Sequence, residues 1–214
     1  MTRTAIGVDE AGRGPVFGSL FVAGVRGAPD HNPIRSSQDS KSISKEKIRS
    51  TVQELQQHPE IQIAVIEIPA TDITQSDNIT RLTIKSMSRL VDVLTTTNDE
   101  IFIDACHTNP SKMATSMNLP DGTVATIEHE ADDKYDIVGA ASCVAKYHRD
   151  KHIESLLPKY PNYSIGSGYP SDPTTREFLK QYYSDTGQFP NETRLTWSTC
   201  DDIKEEIEQT TLDT

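Results

Sequence analysis

The sequence predicts an α/β fold, a mixed sheet flanked by helices with a small helical part at the C-terminus. Three observations predict it. Short apolar runs at 4–9, 16–26, 61–68, 101–104 and 123–128 have strand length and strand composition. The later runs alternate with longer stretches of helical spacing, as the layered α/β pattern requires. The last signals along the chain, near 173–184 and in the tail, are helical.

Each element follows from local residues. Ala5-Ile6-Gly7-Val8 is apolar and ends on Asp9-Glu10, so a first strand over 4–9 breaks in the turn Gly12-Arg13-Gly14. Consecutive strand residues point to opposite faces. The two acids can share one site only where the strand is already breaking, which glycine permits. A second strand spans 16–26, and polar residues 28–41, with Pro29 and Pro33, read as a loop. Ser44 caps a helix over 45–57. Residues 61–68 alternate as a strand and stop at Pro69. The three early strands suggest an antiparallel meander.

Ile79, Leu82, Met87, Leu90, Val91 and Leu94 place a helix over 77–95. Ile101-Phe102-Ile103-Asp104 is a second strand that ends on an acid, and 123–128 is another strand. One long helix is predicted over 132–157, ended by Pro158. Gly166, Gly168 and Pro170 mark a loop, and Asp172-Pro173 supplies a cap and first position for a helix near 173–184.

The 214 residues suffice for one good core, or for one domain and a small appendage. No apolar run approaches the ~20 residues of a membrane span. Met1-Thr2-Arg3-Thr4 leads straight into the first strand, so a cytoplasmic protein without membrane contact is expected. Cys106, Cys143 and Cys200 are dispersed and form no Cys-x-x-Cys pair, which argues against a disulfide framework and a zinc site. Cys143, in Ala140-Ala141-Ser142-Cys143-Val144-Ala145, reads as a small buried helix position.

A net charge of −11 is unusual for a protein that binds phosphate backbones. Asp outnumbers Glu, Lys and Arg are few, and Ser and Thr are abundant. That pattern suits molar salt, where a strongly charged surface keeps a protein soluble and long-range repulsion is screened within about 3 Å. Asp201–Thr214 carries six acids against Lys204 alone and reads as a solvated helix face.

Asp9, Glu10, Asp104 and Asp132 lie at two strand ends and one helix start. Carboxylates at converging strand ends suit hard divalent cations, which prefer oxygen ligands. A lone Asp is more often a cap or a surface residue. The residues by themselves leave both readings open.

A set of spaced motifs resembles the type 2 ribonuclease H family, and its archaeal branch in particular. Asp9-Glu10-Ala11-Gly12-Arg13-Gly14-Pro15-Val16 matches the first motif. Asp39-Ser40-Lys41-Ser42-Ile43-Ser44 is similar to the second, and Ile103-Asp104 to the third. Glu128-His129-Glu130-Ala131-Asp132 and Val138-Gly139-Ala140-Ala141-Ser142-Cys143-Val144-Ala145-Lys146 match the helix motif, with Arg149-Asp150 after it. Gly166-Ser167-Gly168-Tyr169-Pro170-Ser171-Asp172-Pro173 matches the last. With the acidic composition, the resemblance points to a salt-loving archaeon.

The resemblance implies a ribonuclease H-like catalytic domain over 1–163 and a helical extension over 164–214. It implies a monomeric endoribonuclease acting on RNA–DNA hybrids and on duplex DNA that contains ribonucleotides, giving 3′-hydroxyl and 5′-phosphate ends. Asp9, Glu10, Asp104 and Asp132 would bind two divalent ions, Mg²⁺ or Mn²⁺, and would be the catalytic residues. Asp133 is the rival to Asp132 and has a plainer reading as a first-turn acid favoured by the helix dipole. Gly12, Arg13 and Gly14 resemble the ribose-reading turn, and the 2′-hydroxyl is what tells RNA from DNA. Tyr169 matches the tyrosine that packs on the neighbouring sugar, and Lys41 a phosphate-contacting lysine. Lys146 and Arg149 face either the duplex or solvent.

Two departures stand out. Glu130 occupies a position where the family usually has Lys, and Ser19 replaces a usual Pro. No Gln-x-x-Leu-x-x-Phe-Phe run follows residue 200, so the sequence offers no support for sliding-clamp docking. The rivals to the nuclease reading are a non-catalytic duplex-binding module and a DNA-specific nuclease of the same fold.

Overall fold

In a computed structural model the described residues are 4–35, 44–76, 78–96, 98–120 and 122–212. Five strands form one sheet: β1 (Ala5–Ala11), β2 (Leu20–Gly27), β3 (Gln62–Ile68), β4 (Glu100–Asp104) and β5 (Ala125–Glu128), in the order β3-β2-β1-β4-β5. β1 pairs antiparallel with β2 and parallel with β4, and β4 pairs parallel with β5. The sheet is therefore mixed, as the sequence predicts. Two helices, α1 (Asn32–Arg35) and α2 (Lys45–Gln57), stand between β2 and β3, so the early strands are not a simple meander. α1 lies inside the segment read as loop. Ser44 caps α2 as expected, its hydroxyl accepting from Lys47 N–H at 3.3 Å.

The other helices are α3 (Ala70–Gln75), α4 (Ile79–Leu94), α5 (Pro110–Ser116), α6 (Ala131–Lys134), α7 (Asp136–Leu156), α8 (Pro173–Thr186) and α9 (Ser198–Leu212). Two predicted boundaries are corrected. The second strand begins at Leu20 rather than residue 16, because Gly18 adopts φ +93° and interrupts extended backbone there. The single helix expected over 132–157 is two, α6 and α7, with an extended residue between them. That residue is Tyr135, whose ring stacks on Phe102 of β4 at 4.2 Å. Its carbonyl accepts from Val138 and Gly139 N–H and so starts α7.

The chain divides into two compact units. The first comprises Met1–Ala11, Phe21–Glu67 and Asn78–Arg149, and the second Gly12–Leu20, Ile68–Asp77 and Asp150–Thr214. The first holds most of the sheet, with Ala23, Val25, Val52, Val138, Ala141 and Val144 in its core. Small buried residues on α7 let it lie close to β1. A Cβ on Gly7 would overlap the Ile137 carbonyl, so this close approach requires glycine there.

In the second unit Phe17, Tyr160 and Phe178 pack edge to face, with centroids 5.2–6.0 Å apart. Asp172 caps α8 by accepting from Thr174 N–H at 3.0 Å, and Pro173 fills the first helical position. Hydrogen bonds from the Ser167 hydroxyl and N–H hold the Asp172 carboxyl down at about 2. Cys106, Cys143 and Cys200 are all buried, and no disulfide occurs among the described residues. Burial pushes the Cys143 thiol up to about 11. Among the described residues no helix is long and apolar enough to cross a membrane.

Candidate active site

The first unit brings the strand-end acids together. β1 and β4 are parallel and in register as far as Val8 and Ile103, and the next residue on each strand is an acid, Asp9 and Asp104. Carboxylate oxygens of Asp9, Glu10 and Asp104 lie within 4.8 Å of one another. Asp9 is buried, and Glu10 and Asp104 are half-buried. The Glu10 N–H donates to Asp9 Oδ1 at 2.7 Å, yet both acids still lie in β1, paired with Ala23 and Val22 of β2, so the strand runs on to Ala11 and does not break at the acids as the sequence predicts.

Asp104 Oδ1 accepts from Ala131 N–H at 2.8 Å. This bond ties the end of β4 to the start of α6, where Asp132 is the second residue. Asp132 is buried and lines the same cavity of about 270 Å³ as the other three, although it stands outside the tight group. Its rival Asp133 is exposed and does not line that cavity.

The electrostatics of the cluster are those of crowded carboxylates. Burial raises the Asp9 carboxyl well above its usual range, and the charges of Glu10 and Asp104 raise it further. A hydrogen bond from Ser142 and the Glu10 N–H oppose that rise. Three crowded carboxylates with one buried are an all-oxygen donor set, which fits Mg²⁺ or Mn²⁺ better than a soft metal. Ser142, Glu130 and Lys146 complete the cavity wall. Glu130 is left-handed, with φ +57°, a conformation that non-glycine residues adopt at a cost of about 1 kcal/mol.

The glycine-rich turn belongs to the second unit and is built differently. Arg194 is fully buried. Its guanidinium donates to the carbonyls of Gly18 and Arg13 at 2.9 Å each and of Gly12 at 2.6 Å. It also lies over the Trp197 ring at 5.2 Å, and Trp197 Nε1 donates to the Gly14 carbonyl at 3.1 Å. Gly12 has φ +98°, which side chains disfavour. The half-exposed Tyr169 sits beside this turn. A Cβ on Gly14 would stand 3.4 Å from its ring, and the preceding carbonyl, of Gly168, accepts from Val16 N–H at 2.9 Å. Gly12, Arg13, Gly14 and Tyr169 are thus one structural group.

Lys41 lies outside the described residues. Lys146 borders the acidic cavity, while Arg149 does not. Sequence reasoning missed three residues: Ser142, Arg194 and Trp197. Ser142 had a signal, because it is the one hydroxyl-bearing residue in the otherwise apolar run 138–145. Nothing local marks Arg194, whose acceptors lie at the other end of the chain.

Comparison with known proteins gives a consistent answer. The family model described as Ribonuclease HII matches residues 6–200. The chain is similar to the ribonuclease HII of Natronomonas pharaonis, 39% identical over 211 residues, covering 97% of each chain. It also resembles the crystal structure of ribonuclease H2 from Pyrococcus horikoshii, with a TM-score of 0.86 and 32% identity, covering 96% of this chain and 99% of that one. A third likeness is to the ribonuclease HII of Archaeoglobus fulgidus, solved in complex with PCNA (TM-score 0.80, 30% identity, 91% and 95% coverage). A family match over nearly the whole chain, on a fold shared with solved relatives, shows that the chain belongs to the ribonuclease HII family.

Proposed function

We propose that this protein is an endoribonuclease that cuts the RNA strand of RNA–DNA hybrids and cuts 5′ to ribonucleotides embedded in duplex DNA. The products are 3′-hydroxyl and 5′-phosphate ends. The observation that carries this reading is the convergence of Asp9, Glu10 and Asp104, with Asp132 in the same cavity, in a chain of the ribonuclease HII family.

Asp9, Glu10, Asp104 and Asp132 would hold two divalent ions, Mg²⁺ or Mn²⁺. When bound, such ions supply positive charge to the phosphodiester oxygens and lower the pKa of a water. Ser142 keeps Asp9 oriented, and Ala131 N–H does the same for Asp104. Arg194 and Trp197 pin the carbonyls of the Gly12–Gly14 turn, so its backbone meets a ribose in one fixed conformation. A fixed backbone without Cβ atoms can approach a 2′-hydroxyl, and Tyr169 offers a flat face to a neighbouring sugar.

The test is cleavage of a DNA duplex carrying one ribonucleotide, with Mg²⁺ or Mn²⁺, from low salt to molar KCl. The reading predicts a metal-dependent cut 5′ to the ribonucleotide that persists at high salt. A folded protein that binds the duplex but never cuts it would be a duplex-binding module. One that cuts all-DNA duplexes equally well would be a DNA nuclease.

A further inference from the structure

A second group of potential metal ligands lies at the other end of β1. Thr4, just before β1, lines a cavity of about 250 Å³ together with His31 and Glu60. Five residues of strand, roughly 16 Å, separate Thr4 from Asp9. Ligand atoms of His31, His58 and Glu60 lie within 4.8 Å of one another. The two imidazoles are tilted against each other with centroids 4.4 Å apart, and His31 Nε2 stands 3.4 Å from Glu60 Oε2.

The present contacts of this group are weak. His31 Nδ1 is buried and has no hydrogen-bond partner among the described residues. The His31 nitrogen that stands near Glu60 is the other one, Nε2, and it is the one placed to take an ion there. The Glu60 N–H reaches His58 Nδ1 only at 3.3 Å, beyond the usual hydrogen-bond range. Arg26 borders the same cavity, but its Nε donates to Asp99 Oδ2 at 2.9 Å, and the Asp99 side chain is fully buried. Its charge is therefore already paired.

We propose that His31, His58 and Glu60 form a binding site for a divalent transition-metal ion of the zinc type. Two imidazoles and one carboxylate are a recurrent zinc donor set, with water as a fourth ligand. Imidazole nitrogen selects zinc-type ions over Mg²⁺, so the site is chemically distinct from the all-oxygen cluster of Asp9, Glu10 and Asp104. Tetrahedral bonds of 2.0–2.1 Å put ligand atoms about 3.3 Å apart. The group must contract by up to about 1.5 Å from its 4.8 Å limit, and Glu60 is exposed and able to move. His31 precedes α1 and His58 ends α2, so the ion would clip the segment after β2 to the turn before β3. Closing a long loop in this way lowers the entropy of the unfolded chain. Unlike a surface ion pair, a coordination bond survives molar salt, where charges are screened.

The test is Zn²⁺ binding to the full chain in molar KCl, by chelator competition and thermal melting. The Asp9→Asn background is used so that the acidic cluster does not obscure the result. One equivalent should bind and raise Tm by about 5–10 °C at a hundredfold excess over Kd. His31→Gln and His58→Gln should each weaken binding by more than about 100-fold, and Glu60→Gln by about tenfold. If a variant fails to fold, imidazole NMR of the unsubstituted histidines replaces it, and the signals of His31 and His58 should shift together at one equivalent. Equal Zn²⁺ affinity in the histidine variants, imidazole signals unmoved by Zn²⁺, or no binding at all would overturn the proposal.

Discussion

The acid end of β1 and the glycine-rich turn that follows it in sequence handle buried charge in opposite ways. At the acid end, Asp9 is buried against Glu10 and Asp104, and its carboxyl is pushed up by burial and by its neighbours. At the turn, Arg194 is buried even more completely, yet three carbonyls accept from its guanidinium and Trp197 covers it. The first arrangement crowds like charges, which a bound cation would relieve. The second is complete by itself and serves as a rigid part. The difference separates a crowd of carboxylates, suited to a cation, from a scaffold held by its own hydrogen bonds.

The largest effect should come from removing the strain and the function together. Asp9→Asn should lower cleavage by about 1,000-fold or more, since ligated metal supplies several kcal/mol of transition-state stabilisation. The same change should raise the Tm of the metal-free protein, because one of three repelling charges is gone. A variant that cuts at the wild-type rate would remove Asp9 from the metal site.

A positioning change should cost less. Ser142→Ala takes away a hydrogen bond that favours ionised Asp9, and Mg²⁺ affinity measured by calorimetry should fall about 10–100-fold. If affinity is unchanged, the Asp9 orientation is held by the strand alone.

Arg194→Lys probes the other side of the contrast. Lysine cannot reach three carbonyls in a fork, so unfolding free energy should drop by about 2–3 kcal/mol in denaturant titration. Mg²⁺ affinity at the acid cluster should stay within about twofold. A large loss of metal affinity would mean that the turn and the acids are not separable in function.

The smallest effect concerns Glu130, which borders the acidic cavity where the family usually has Lys. Glu130→Lys should lower KM a few-fold in low salt and leave it unchanged in molar KCl, where such charges are screened. A reduction that persists in molar KCl would show a direct contact with substrate instead.

Much of this was legible in the sequence because it depends on local pattern. An apolar run ending in an acid marks Asp9 and Asp104, and the spaced motifs mark Asp132 and Tyr169. Ser44 and Asp172 are caps in the sequence and in the structure. The rest depends on contacts between distant residues. The break between α6 and α7 coincides with Tyr135 stacking on Phe102, a pairing that helical periodicity does not show. Leu20 rather than residue 16 starts β2, because Gly18 is left-handed and Phe17 is drawn into an aromatic core with Tyr160 and Phe178. Arg194 looks like a surface residue in Thr193-Arg194-Leu195, and only its distant carbonyl acceptors reveal its role.

The most direct test of the contrast is thermal melting of the wild-type and Asp9→Asn proteins across a Mg²⁺ titration at fixed high salt. The acid cluster should make wild-type Tm climb with Mg²⁺ and saturate, while Asp9→Asn starts higher and stays nearly flat. A wild-type Tm indifferent to Mg²⁺, or an equal climb in both proteins, would contradict the account of the acid end as a site completed by a cation.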